Sequence, residues 1–270
     1  MENLVQEIAA AGALAFAAAL FLVQATAREV GYIFGHRAAD QEATPEGVGV
    51  VVGGMLGLLA FVLALTLSFA SARHQERRDG TLAEANAIGT AWLRAQAIGH
   101  PRGTEIARLL EDYTRVRIDF VRADLHSPGL DGLTARTNAM QSEMWGHVTA
   151  IVRERPDPVA TALMAALNEA FDLAMAERFA FSFTMPPQLF WLLIGMTTLT
   201  MAALGYQLGL RRRPLRILSF LLLAMWTATM TVILDLGAAR VGDIRVGAGV
   251  YEWTLQGFEG GVAVPPLPGR

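Results

Sequence analysis

The sequence predicts an all-α integral membrane protein with four transmembrane helices and a helical, water-facing domain inserted between the second and third. Three observations carry this prediction. Of 270 residues, 53% are hydrophobic and mean hydropathy is positive, above what a soluble domain usually shows. The apolar residues gather into four long runs almost without charge. Between the second and third runs, apolar positions instead recur at helical spacing among arginines and acids.

The first run, 8–27, is bounded by Glu7 and Arg28 and at ~1.5 Å per residue covers about 30 Å of hydrocarbon. Ala25-Thr26-Ala27 imitates a leader cleavage site, but Glu2 and Glu7 precede the run where a leader needs positive charge, so a retained span is the reading. The second run, 47–72, ends at Arg73; the third covers about 187–210 and the fourth about 215–234. In lipid every backbone amide must be bonded within its own segment, so these runs are helices. Trp191, Tyr206 and Trp226 suit headgroup-level or packing positions. Arginines near the span ends are balanced on the two sides, so charge does not orient the chain.

The inserted region, 73–184, begins as a continuation of the second span to about Ile98, where His100-Pro101 stops it. From 104 to 126, Ile106, Leu109, Leu110, Tyr113, Val116, Phe120 and Val121 form one apolar stripe. Ser127-Pro128-Gly129 closes that helix, and another runs from about Leu133 to Arg153 on Met140, Met144, Trp145, Val148 and Ile151. Asp157-Pro158, a capping residue before a proline, starts a fourth that reaches about Ala180. The chain thus divides into 1–72, 73–184, 185–236 and 237–270; the last part, interrupted by Gly237, Gly242, Gly247 and Gly249, reads as a surface-lying segment and a flexible tail.

The second span carries the most information. Gly49, Gly53, Gly57, Ala60, Ala64, Ser68 and Ser71 fall on one face, where backbones can approach as in small-xxx-small packing. On the adjacent face Leu58, Phe61, Leu65 and Phe69 form an apolar column, which around an oligomer axis would make a constriction that gates by dewetting. Glu84 and Asn86 are a candidate ion or subunit contact, set against ordinary surface pairing with Arg77, Arg78 or Arg94. Asp235, at the edge of the fourth span, is set between pairing with Arg240 and a part in ion passage.

The stretch 61–69 (FVLALTLSF), then Arg73 and the helix with 84–89 (EANAIG), resembles the bacterial bestrophin-like proteins, as do Leu234-Asp235-Leu236 and Ile244-Arg245-Val246 near the end. True bestrophins are pentameric anion channels with two spans, a cytosolic helical block and two more spans, the second helix lining the pore. The resemblance therefore implies a homo-oligomer, a pentamer by analogy, in a bacterial inner membrane, its inserted domain cytoplasmic and chloride or another small anion as cargo. It places Phe61 and Leu65 at the aromatic neck and Gly57 one turn earlier, with Arg73 a candidate ion or subunit contact alongside Glu84, Asn86 and Asp235. Gly57 and Leu65 lack the bulk found there, His74 and Gln75 stand where tryptophans follow, and no acidic calcium clasp follows the fourth span; calcium gating is not implied.

Other chemistry is excluded by composition. With no cysteine there is no disulfide, thiolate metal site or cysteine nucleophile. His36, His74, His100, His126 and His147 offer no pair at helical metal spacing, and no phosphate loop or nucleophile elbow is present, so neither an enzyme nor a cofactor is expected. A net charge of −3 without a basic block gives no reason for nucleic-acid binding. The partners are the lipid bilayer and further copies of the chain. A second functional class stays open: a non-conducting scaffold or energy-coupling subunit of stator-like topology, for which a hydroxyl row of Thr197, Thr198, Thr200, Thr227, Thr229 and Thr231 would be the feature.

Overall fold

A computed structural model describes residues 12–39, 45–124, 127, 129–182, 186–240 and 242–263. The described residues are helical without strands: α1 (Ala13–Ala38), α2 (Pro45–Ala97), α3 (Pro101–Arg122), α4 (Leu130–Glu154), α5 (Pro158–Ser182), α6 (Pro187–Leu210), α7 (Arg216–Gly237) and α8 (Gly249–Glu259). The chain divides into two compact units, Met1–His74 with Thr184–Arg245, and Gln75–Phe183 with Val246–Arg270. α2 is one unbroken helix of 53 residues whose first part belongs to one unit and second part to the other.

In the first unit, α1 and α6 meet backbone to backbone. A methyl group added at Gly31 would overlap Ala202, one at Gly35 would overlap Tyr206, and both would fall 2.8 Å from the carbonyl carbons there. The reverse also holds: a methyl at Gly205 would strike Arg28 and Tyr32, and one at Gly209 would lie 2.6 Å from His36 N. Two small-xxx-small pairs are thus seated in each other, one per helix, and close approach is possible only because both sides lack a Cβ. Residue numbers rise together along the contact, so α1 and α6 run parallel. The seven residues 31–37 (GYIFGHR) and 205–211 (GYQLGLR) share both glycines, the tyrosine and the arginine.

Arg28, fully buried, fastens this pair to the next helix. It donates to the Pro214 carbonyl in the turn before α7, lies 2.6 Å from Glu29 and 3.4 Å from Ser219 Oγ, and stacks 5.4 Å from the Tyr32 ring centre and 5.8 Å from that of Phe220. The apolar core of the unit joins Phe16 and Leu20 of α1, Leu59, Leu63 and Ala70 of α2, Phe190 and Leu193 of α6, and Met230 and Ile233 of α7.

In the second unit the helix starts follow from local chemistry. His100 Nδ1 accepts the Arg102 amide at 3.1 Å with Pro101 behind it, and Asp157 Oδ1 accepts the Ala160 amide at 2.9 Å ahead of Pro158. α3 buries Ile106, Leu110, Tyr113 and Val116, α4 buries Met144, Val148 and Ile151, and α5 buries Leu163, Leu167 and Ala170. Helix α3 ends at Arg122, short of the expected His126, which lies outside the described residues, and α4 starts at Leu130, three residues early.

Two expectations need correction or extension. The segment after Leu236 does not lie on the surface throughout: α8 buries Tyr251 and Phe258, and Trp92 stacks on Phe258 at 4.6 Å. Glycines on either side hid an i, i+7 pair of aromatic anchors. The described residues also hold five helices, not four, long and apolar enough to cross a membrane by length and composition, because α5 joins α1, α2, α6 and α7.

Valine at Gly205 is expected to destabilise the protein in detergent by about 1–3 kcal/mol through overpacking, or to prevent folding, while Gly195→Ala, where an added Cβ meets nothing within 4 Å, leaves the unfolding midpoint where it was. Equal midpoints for the two variants would contradict the close α1–α6 approach.

Candidate functional site

The first part of α2 presents three faces. Val52, Leu59, Leu63, Thr66 and Ala70 are buried against the rest of the unit. Gly53, Gly57, Ala60, Ala64, Ser68 and Ser71 are exposed, and an added Cβ at Gly53 or Gly57 would meet nothing within 4 Å. Leu58, Phe61 and Leu65 are 56%, 61% and 56% exposed, with Phe69 at 37%. At 100° per residue the buried row, the small row and the apolar column lie about 120° apart. Gly49 stands outside the open row: a Cβ there would sit 2.7 Å from Gln207 Nε2, so that glycine accommodates α6 of the same chain. Arg73 places its guanidinium 5.1 Å from the centre of the Phe69 ring, closing the column at one end.

Asp235 is 8% exposed and is held by a backbone cradle. Its carboxylate accepts the Asp243 amide at 2.9 Å and the Ile244 amide at 3.2 Å. Gly242 immediately precedes them at φ +92, where a side chain would be strained and a Cβ would overlap Asp235 Oδ1. The two short motifs near the end of the chain, 234–236 and 244–246, are therefore joined by one capping carboxylate. Four of the six hydroxyls of the row have a local account: Thr197, Thr198, Thr229 and Thr231 donate to carbonyls of their own helices, at 2.9, 2.7, 2.9 and 2.8 Å.

The second unit holds a buried polar cluster that sequence reasoning placed at the surface. Glu84 is not an exposed acid; it is fully buried, as are Glu177 and Arg117 to within 2%. Arg117 Nε lies 2.7 Å from Glu84 Oε1, its Nη2 donates to Glu84 Oε2 at 2.9 Å, and the same Nη2 donates to Glu177 Oε2. Tyr251 Oη lies 2.7 Å from Glu84 Oε2 and 3.0 Å from Glu177 Oε2. Thr81 Oγ1 is 2.6 Å from Glu177 Oε1, Tyr113 Oη is 3.4 Å from Glu84 Oε1, and Gln141 Nε2 donates to Tyr113 at 3.0 Å. Asn86, by contrast, is exposed and meets none of this.

Burial pushes the Glu84 carboxyl up to about 8, opposed by the positive charge of Arg117 and helped by the negative charge of Glu177. Burial and then the carboxylates raise the Tyr251 phenol well above its ordinary range, so it stays a donor. Among the described residues no group of three or more His, Asp or Glu is placed to hold a metal ion.

The cluster's signal in the sequence was the wrong one to find from a single helix. Glu84 has arginines at neighbouring positions of α2, but its partners come from α3, α5 and α8, up to 167 residues away. Arg28 was likewise read as the border of a span, whereas the repeated Gly-Tyr-x-x-Gly of α1 and α6 marks the contact that it serves.

A family model described as the Bestrophin-like domain matches residues 8–248. The chain belongs to that family. No curated protein and no solved structure gives a match.

Replacing Arg117 with Met is expected to cost about 3–5 kcal/mol of unfolding free energy, because the buried acids Glu84 and Glu177 are left without their cation. Arg108→Ala, which removes an exposed pair with Glu105, should leave the midpoint unchanged. Chemical denaturation of the two variants side by side checks the contrast.

Proposed function

We propose that this member of the bestrophin-like family assembles into a homo-oligomer around α2 and conducts small anions, with Phe61 and Leu65 as the constriction and Leu58 and Phe69 flanking them. The observation that carries the reading is the division of α2 into three faces about 120° apart. In a ring, each subunit needs one face for its own core, one for a neighbour and one for the axis. The buried row serves the first, the open row of Gly53, Gly57, Ala60, Ala64 and Ser68 suits a close-packed neighbour, and the apolar column suits a pore wall that excludes water when narrow. Anion preference and a pentameric ring follow from family analogy alone.

The parallel course of α1 and α6 supports four spans. With α2 as the return crossing, α6 runs in the direction of α1 only if α5 does not cross as well. The buried ion pair of Glu177 with Arg117 also favours α5 as part of a water-facing bundle, since charge in lipid is costly. The reading gives the chain a conducting, not a catalytic, role, with the second unit on the cytoplasmic side of a bacterial inner membrane by analogy.

Reconstitution decides it. Purified protein with an oligomeric mass in detergent should carry chloride-selective current in planar bilayers, and Phe61→Ala with Leu65→Ala should raise the flux severalfold. A correctly assembled oligomer whose flux the double substitution leaves unchanged would remove these residues from the pore. A silent oligomer that co-purifies with another membrane protein would instead favour a scaffold or energy-coupling subunit.

A further inference from the structure

The two contacts of Tyr251 with carboxylates do not fit a single phenolic proton. Its oxygen lies within hydrogen-bond distance of both Glu84 and Glu177, and a phenol donates once. The second contact is attractive only when one of the two carboxyls carries its own proton and donates to the phenol oxygen. Water cannot substitute, because both acids and the tyrosine are buried to within 1%. The guanidinium of Arg117 contacts both carboxylates and is shared between them.

We propose that Glu84 and Glu177 together hold one dissociable proton that fastens α8, through Tyr251, to the helices of its unit, so that the hold on α8 weakens as the proton leaves. On dissociation a carboxyl O–H bond breaks, the proton passes to solvent, and two carboxylates remain around Arg117 with one phenolic hydrogen between them.

Every element packed on the pair contributes a group. α2 brings Thr81 and, a turn before it, the buried Arg77; α3 brings Arg117 and Tyr113; α4 brings Gln141 through Tyr113; α8 brings Tyr251. Arg178, next to Glu177 on α5, is exposed. The other fastenings of α8 are of a different kind: the stack of Phe258 on Trp92, and an exposed pair of Glu252 with Arg122. Tyr251 is thus the tie between α8 and the proton.

The direction follows from linkage. The docked state holds the proton more tightly than an opened state in which Glu84 regains its ordinary value of 4.5. Docking is then firmest at or below that value, weakens as pH rises toward about 8, and levels off above it. One proton gives a slope of up to about tenfold per pH unit within this window.

The test is amide exchange over residues 249–259 of the full chain in detergent, followed with pH and corrected for intrinsic rates. Protection should fall across the window at up to about tenfold per unit. In Glu84→Gln, which cannot ionise, the profile should be flat, and Tyr251→Phe should lower protection at acid pH and remove the slope. Should either variant fail to fold, infrared difference spectra of the unmodified protein serve: a carboxylic-acid band should persist at neutral pH and disappear as pH passes about 8. Constant protection across the window, a slope retained by both variants, or no titrating acid band above neutral pH would overturn the proposal. None of these readouts depends on conduction.

Discussion

The first unit depends on a contact that no side chain could share. α1 and α6 touch through Gly31, Gly35, Gly205 and Gly209, and each glycine leaves room for the backbone of the other helix. Lipid gives little reason for two apolar helices to prefer each other to acyl chains, so close backbone packing and buried polar ties must hold them. The glycines supply the first, and Arg28 supplies the second by reaching the turn before α7. Once α1 and α6 are locked in parallel, with α7 drawn against them, α2 can bury only one face on the unit. Its remaining faces are left for something else.

The second unit is organised by a different necessity. Burying two carboxylates and a guanidinium costs several kcal/mol per ion, which their attraction offsets only when every lone pair and proton is used. The cluster nearly meets this condition: Arg117 bridges both acids, Thr81 and Tyr113 take further oxygens, and Tyr251 stands between the carboxylates. Such a cluster contributes less to stability than an apolar core of the same volume would. It does demand that α2, α3, α5 and α8 arrive in one register, because shifting any of them leaves a charge bare. This explains how an eleven-residue helix near the end of the chain, broken off from the rest by glycines, finds one place to dock.

Much of the architecture was legible because its signals are local. Uncharged runs marked the long helices, Asp157-Pro158 marked a helix start whose capping bond the structure contains, and His100-Pro101, read only as the stop of α2, also caps the start of α3. All seven residues of the apolar stripe that periodicity gave α3 are buried, but the polar Thr114 and Arg117, buried beside them, escaped it. What escaped was relational. Glu84 resembles any acid among arginines until α3, α5 and α8 fold over it; Asp235 has Arg240 nearby in sequence, and nothing local to it shows that its carboxylate also takes the backbone amides of Asp243 and Ile244. Gly49 continued the small-residue row of α2 in sequence, but only the position of Gln207 shows that it faces α6. The apolar column was found because α2 alone defines it, though helical spacing cannot say what covers it.

The length of α2 narrows that last question. Within the second unit α2 buries Thr81, Glu84, Ile88, Ala91 and Ala95. The helix is about 80 Å long, at 1.5 Å per residue, and so outreaches the hydrocarbon. Beside the spans, lipid alone would account for exposed Phe61 and Leu65. It does not account for Leu82 and Leu93, 47% and 56% exposed where Gln75, Glu76, Arg78 and Asp79 have already ended the apolar run. At 100° per residue both fall within about 20° of the Gly57 row and not on the apolar column, so apolar side chains past the reach of hydrocarbon favour a protein neighbour on the face where the small row also calls for one.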